Sequence, residues 1–124
     1  MNVLERKNDA SDRERRTRQV LLEIGVPDHL RGHEYLLTAI DMAIVDPGAV
    51  HGIVKKVYMP VAEKYGSTYT KVERAIRTAI EDAWNRADLE DLRKCFGSTV
   101  DPMRGRPTVR EFIARLANYI RLEG

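Results

Sequence analysis

Apolar residues recur at helical intervals along most of the chain, and no stretch alternates with the period of two that marks a half-buried strand. Val20, Leu21 and Ile24 form a first short stripe, ended by Gly25 and Pro27. Leu36, Leu37, Ile40, Ala43 and Ile44 form a second, which stops at Asp46-Pro47-Gly48. Ile53, Val57 and Val61 mark a third helix with Pro60 inside it. That proline either kinks the helix or starts a shorter one ending at Gly66, because proline is tolerated in a first turn. A long fourth helix runs towards Trp84. Asp88 is placed to cap a short fifth helix, Leu89 to Phe96, closed by Gly97. Thr108-Val-Arg-Glu111 is a capping box behind Pro107, opening a last helix with Val109, Phe112, Ile113, Leu116 and Ile120 on one face. The pattern predicts an all-α, six-helix single domain.

The fourth helix divides cleanly. At about 100° per residue, Val72, Ala75, Ile76, Ala79, Ile80 and Ala83 share one side, and Thr70, Arg74, Arg77, Thr78 and Glu81 the other. Arg74 lies near the middle of the outer face, with Lys71 at one flank and Glu73 near the opposite boundary. Cations at a helix N-terminus oppose the macrodipole, so a negatively charged partner is the natural complement. The preceding helix, the Gly66 turn and this helix have helix-turn-helix spacing, in which the first turns of the second helix enter the DNA major groove. Arg and Lys suit guanine O6 and N7, and Glu accepts from cytosine N4. The local chemistry leaves alternatives. Thr68 and Thr70 compete as N-cap, and Thr70 with Glu73 would make a capping box. Arg77 and Glu81 would make an ordinary i, i+4 surface pair.

With 124 residues the chain has room for one core. Its net charge of +2 confines any basic footprint to a local patch. One cysteine, Cys95, excludes an internal disulfide and fits a reducing compartment. No apolar run reaches the roughly 20 residues of a membrane span, and the N-terminus lacks a signal-type stretch, so a cytoplasmic location is expected. Residues 1–16 are charged with both signs and carry little to bury, which predicts a flexible arm with the domain starting at Thr17.

Basic residues cluster outside the fourth helix as well. Lys55 and Lys56 precede the turn, and Arg104 and Arg106 stand near Arg93, Lys94 and Arg110 in sequence. These suit phosphate contacts, which position a protein on DNA without specifying sequence. His29 and His33 have i, i+4 spacing, but Pro27 and Gly32 interrupt a helix there and no third ligand is at hand, so no metal or other cofactor is expected. Neither a Gly-rich phosphate loop nor a nucleophile elbow is present, and nothing points to catalysis. Cys95, Trp84 and Tyr65 read as packing residues.

The residues also carry a resemblance. VERAIRTAIEDAW (72–84) resembles the recognition helix of the DNA-binding effector domain family of stage zero sporulation protein A. EIGVPDHLRG (23–32) with YLLTAI (35–40), Tyr58-Met-Pro60 through Lys64-Tyr65, FGSTV (96–100) and RPTVREFIA (106–114) are similar to the same domain, in order, across roughly residues 17–122. The resemblance implies a regulator that reads a TGTCGAA-type box, commonly as two copies in tandem. It makes Lys71, Glu73 and Arg74 the base-reading positions, with Arg usual in the family where Lys71 stands here. Thr68, Thr70, Arg77, Lys55, Lys56, Arg104 and Arg106 are expected to contact backbone or support the helix. It also implies RNA polymerase sigma subunit as a partner of the short fifth helix, here the heavily charged segment 88–94. Family members carry a receiver domain ahead of the effector, and a lone effector is expected to bind without phosphorylation. The expectation is thus a double-stranded DNA-binding transcription regulator. The alternative is a protein-interaction module that modulates or competes with a receiver-containing regulator.

Overall fold

The computed structural model describes residues 3–97 and 105–123, with side chains described over 10–97 and 105–122. Among them are six α-helices: α1 (Val3–Glu23), α2 (Arg31–Val45), α3 (Met59–Tyr65), α4 (Tyr69–Arg86), α5 (Leu89–Phe96) and α6 (Val109–Glu123). A 3-10 turn (Pro47–Gly52) and a π turn (Val54–Tyr58) lie between α2 and α3, and the described residues include no strand. Each predicted helix has a counterpart among the described residues.

At the centre, α2 packs against both α4 and α6. Leu36 and Ile40 of α2, Ile76 and Ile80 of α4, and Phe112 and Leu116 of α6 are all buried. Each such side chain contributes about 1.5–3 kcal/mol on leaving water. The short α5 is held by an aromatic series in which Trp84 meets Phe96 nearly edge-on at 5.3 Å and Phe96 meets Phe112 at 5.5 Å. Trp84 and Tyr65 are thus packing residues, as expected. The Tyr65 ring lies 5.3 Å from that of Tyr35, and its hydroxyl is 2.8 Å from Thr38 Oγ1.

The third helix is divided at its proline. Pro60 has no N–H to donate, and its ring would crowd the carbonyl four residues back. The backbone widens instead: Met59 N–H donates to the Val54 carbonyl five residues earlier, and α3 starts with Pro60 in its first turn. At the other end of α2, Arg121 of α6 donates to the carbonyls of Ile44 and Ala43 at 3.4 and 3.0 Å. That guanidinium satisfies carbonyls left over where the helix stops, a task no basic residue of α2's own last turn performs.

The N-terminal segment departs from the arm expected over residues 1–16. Helical backbone runs unbroken from Val3 to Glu23. Arg13 Nε donates to Asp41 Oδ1 at 2.9 Å, and Arg18 donates to Glu34 at 3.1 Å and to Glu14 at 3.4 Å. Thr17 is buried and donates to the Arg13 carbonyl at 2.7 Å. Counting apolar residues misses this docking because charged pairs with α2 supply the contacts.

Candidate nucleic-acid interface

The interface is built from the turn outward. Gly66 takes the left-handed conformation (φ 64°, ψ 40°), which costs glycine least. Ser67 N–H donates to the Ala62 carbonyl at 2.8 Å and Gly66 N–H to that of Glu63 at 3.4 Å, the paired bonds that end a helix sharply. Three residues, Gly66 to Thr68, then reverse the chain into α4. Thr68, not Thr70, is the N-cap: its Oγ1 accepts from Lys71 N–H at 3.3 Å. Thr70 is exposed, with its hydroxyl 3.3 Å from that of Thr68.

That choice of cap releases Glu73 from the backbone. Its Oε1 instead accepts two bonds from Arg77, one from Nε at 3.0 Å and a second from the terminal nitrogen. This bonding and the Glu73 charge raise the Arg77 pKa above its ordinary value. The i, i+4 pair expected between Arg77 and Glu81 is therefore replaced. Arg77 turns back towards Glu73, and Glu81 accepts from Arg106 at 3.0 Å. Arg86 and Asp82 form a further pair at 2.9 Å. Of the charged side chains on α4, only Lys71 and Arg74 make no hydrogen bond or ion pair with a described residue, and both are exposed.

A cleft of about 710 Å³ runs from α4 to the start of α6, bordered by Tyr58, Glu73, Arg77, Arg106, Thr108 and Arg110. It brings Arg106 and Arg110, distant in sequence, beside the recognition-type helix. Tyr58 at its edge is buried, and that desolvation, with help from Glu73, pushes its hydroxyl up to about 12, so it stays protonated. The capping box behind this cleft is formed: Thr108 Oγ1 accepts from Glu111 N–H at 3.1 Å, and Glu111 Oε1 accepts from Thr108 N–H at 3.5 Å. Lys55 and Lys56 are exposed on the π turn, which packs against α4. Arg104 lies outside the described residues.

One neighbour of this face escaped the sequence reading. Gly32 lets the first turn of α2 abut α4, since a Cβ there would stand 2.3 Å from the Ala75 carbonyl oxygen. Arg31 thereby lines a cleft of about 270 Å³ together with Lys71 and Arg74. The signal was visible only as a glycine inside a helical pattern.

The two histidines do not form a pair. His29 precedes α2 and is exposed, whereas His33 is wholly buried in α2 with neither ring nitrogen hydrogen-bonded to a described group. Burial lowers its pKa below 6.5. Among the described residues no cluster of three or more His, Cys, Asp or Glu could hold a metal ion. Among the described residues no helix is long and apolar enough to cross a membrane.

Comparison with protein families completes the picture. The model described as "Sporulation initiation factor Spo0A C terminal" matches residues 17–120. The chain belongs to that family. It is a sporulation-initiation effector domain, and the family is one of DNA-binding domains. The match opens at Thr17, where the apolar pattern begins, and takes in the helix-turn-helix of α3 and α4 and the α5–α6 end of this Spo0A-type domain.

Proposed function

We propose that this domain is a sequence-specific transcription regulator that reads a TGTCGAA-like box through α4. The observation that carries the proposal is the pair of exposed cations Lys71 and Arg74 on the second helix of the helix-turn-helix, whose side chains pair with no described residue. Arg74 is suited to guanine O6 and N7 through two parallel bonds. Lys71 offers a single ammonium and so recognises a base less strictly than the Arg usual at that position. Glu73 spends Oε1 on Arg77 and keeps Oε2 to accept from cytosine N4. Thr68, Thr70, Lys55, Lys56, Arg104 and Arg106 support the helix or hold phosphates. This domain needs no phosphorylation to bind, since Lys71 and Arg74 are exposed as they stand. In activation α5 presents Glu90, Arg93 and Lys94 to the polymerase sigma subunit, and two copies occupy tandem boxes.

A gel-shift series with box and scrambled duplexes across salt concentrations tests this. Arg74→Ala is expected to cost about 1–3 kcal/mol on the box and to relax preference at one position. An equal loss on scrambled DNA makes Arg74 a phosphate anchor and sinks its base-reading role. Binding that required a kinase or receiver protein would refute phosphorylation independence.

A second reading, a module that pairs with a receiver-containing regulator, draws on Leu122 and Val45. They are 78% and 68% exposed, at helix ends joined by Arg121. Mixed complexes without any DNA shift would favour it.

A further inference from the structure

The cleft between the start of α2 and the outer face of α4 is lined by Leu30, Arg31, Gly32, Lys71, Arg74, Ala75 and Thr78. Its only ionisable members are three cations. The carboxylates nearby are committed or turned away: Glu34 accepts from Arg18, Glu73 from Arg77, and Asp28 does not line the space. The side chains of Arg31, Lys71 and Arg74 form no ion pair or hydrogen bond with a described residue, in a chain whose acids and bases nearly balance. Three like charges sharing a cleft of about 270 Å³ repel one another, and an oxygen anion seated among them converts that repulsion into attraction. The Thr78 hydroxyl adds a neutral donor, while Leu30 and Ala75 supply apolar wall.

We infer that this cleft takes a backbone phosphate of the bound duplex, and that Arg31 is a positioning residue that fixes how α4 sits in the groove. The inference rests on the DNA-reading function proposed above and adds a contact from outside the helix-turn-helix. Arg31 belongs to α2, at the rim of the α4 face, where the sugar–phosphate strand passes beside a helix that occupies the groove. Gly32 is what permits the approach. Its missing side chain lets α2 meet the Ala75 carbonyl and so brings Arg31 to within one cleft of Lys71 and Arg74.

The test uses the full chain and duplexes carrying the box or a scrambled sequence, with thermal melts to confirm folding. Arg31→Ala is expected to weaken both duplexes by the same factor, about three- to tenfold, and to lower the slope of log affinity against log salt by about one, with Arg31→Lys recovering most of the loss. Neutral methylphosphonate substitutions, introduced one position at a time, locate the phosphate. One position weakens wild-type binding and is silent in Arg31→Ala. Unchanged affinity and slope in Arg31→Ala, with the wild type still preferring the box, overturns the cleft assignment alone. A loss confined to the box makes Arg31 a base reader and overturns it too. Wild-type protein that neither prefers the box nor responds to salt brings down the DNA-reading function and this inference together. A specific loss of wild-type affinity in phosphate buffer, against chloride at equal ionic strength, that disappears in Arg31→Ala supports the assignment, because free phosphate then competes with the duplex for this cleft; an equal loss in Arg31→Ala places the competed phosphate elsewhere and overturns it.

Discussion

Gly32→Ala tests the α2–α4 crossing on which both the core and the DNA-facing surface depend. A Cβ at that position would lie 2.3 Å from the Ala75 carbonyl oxygen and 2.8 Å from Ala79 Cβ. Favourable contacts of this kind begin at about 3.5 Å, so the shortfall to the carbonyl is about 1 Å. The obstructing atom is helix backbone and cannot rotate aside as a long side chain would. The two helices must therefore separate, loosening the packing of Leu36 and Ile40 over Ile76 and Ile80, all of them buried. Overpacking of this kind costs about 1–3 kcal/mol, and a backbone clash belongs near the upper end. Alanine returns up to about 1 kcal/mol in helix propensity. The net loss is about 1–2 kcal/mol, which for a domain of this size lowers Tm by about 4–8 °C. Chemical denaturation and calorimetry measure it directly. Gly48→Ala is the control, because its nearest obstacle is Asp46 Oδ1 at 3.4 Å, and it is expected to stay within about 0.5 kcal/mol of wild type. A Gly32→Ala protein as stable as wild type, or more stable, refutes the close crossing.

Three further outcomes follow from the same geometry. Arg77→Ala is expected to leave stability nearly unchanged, since the guanidinium is exposed, but to free Glu73 and weaken discrimination at the base position proposed for it, measured by selection from randomised boxes. If selection returned the wild-type box, Arg77 would not be the group that aims Glu73. His33 is held neutral by burial in the fold, with Glu34 and Asp28 favouring its charged form and Arg18 opposing it. Its folded pKa is depressed, so the unfolded chain binds the extra proton and stability falls as pH drops below 6.5 towards the folded value. Denaturation midpoints between pH 7 and about 5 should show this slope, and His33→Leu should flatten it. Thr108→Ala removes the acceptor for Glu111 N–H and is expected to cost about 1 kcal/mol, visible as an earlier unfolding transition. No change would mean that α6 is started by its packing alone.

The sequence was sufficient for the apolar stripe of each helix and for several of the helix ends. Six helices, the Asp88 and Thr108 caps and the glycine stop at Gly66 are local matters, decided by apolar period and by which backbone groups a nearby side chain can reach. It also placed Arg74 near the middle of the outer face of α4, with Lys71 and Glu73 at its opposite edges, because helical spacing alone fixes that. Tertiary structure decided who pairs with whom. Thr68 and Thr70 were equal candidates until the turn geometry chose Thr68, and that choice turned Glu73 from a capping group into the partner of Arg77. Glu81 went to Arg106, 25 residues further along, and Arg13 to Asp41, 28 residues away. The second of these joins α1 to α2, a contact that a count of apolar residues does not report. Arg31 reached the face of α4 only because two helices cross at Gly32. Local pattern reports what each residue prefers, whereas ion pairs and helix crossings depend on which distant surfaces the packing of the core brings within a few ångströms.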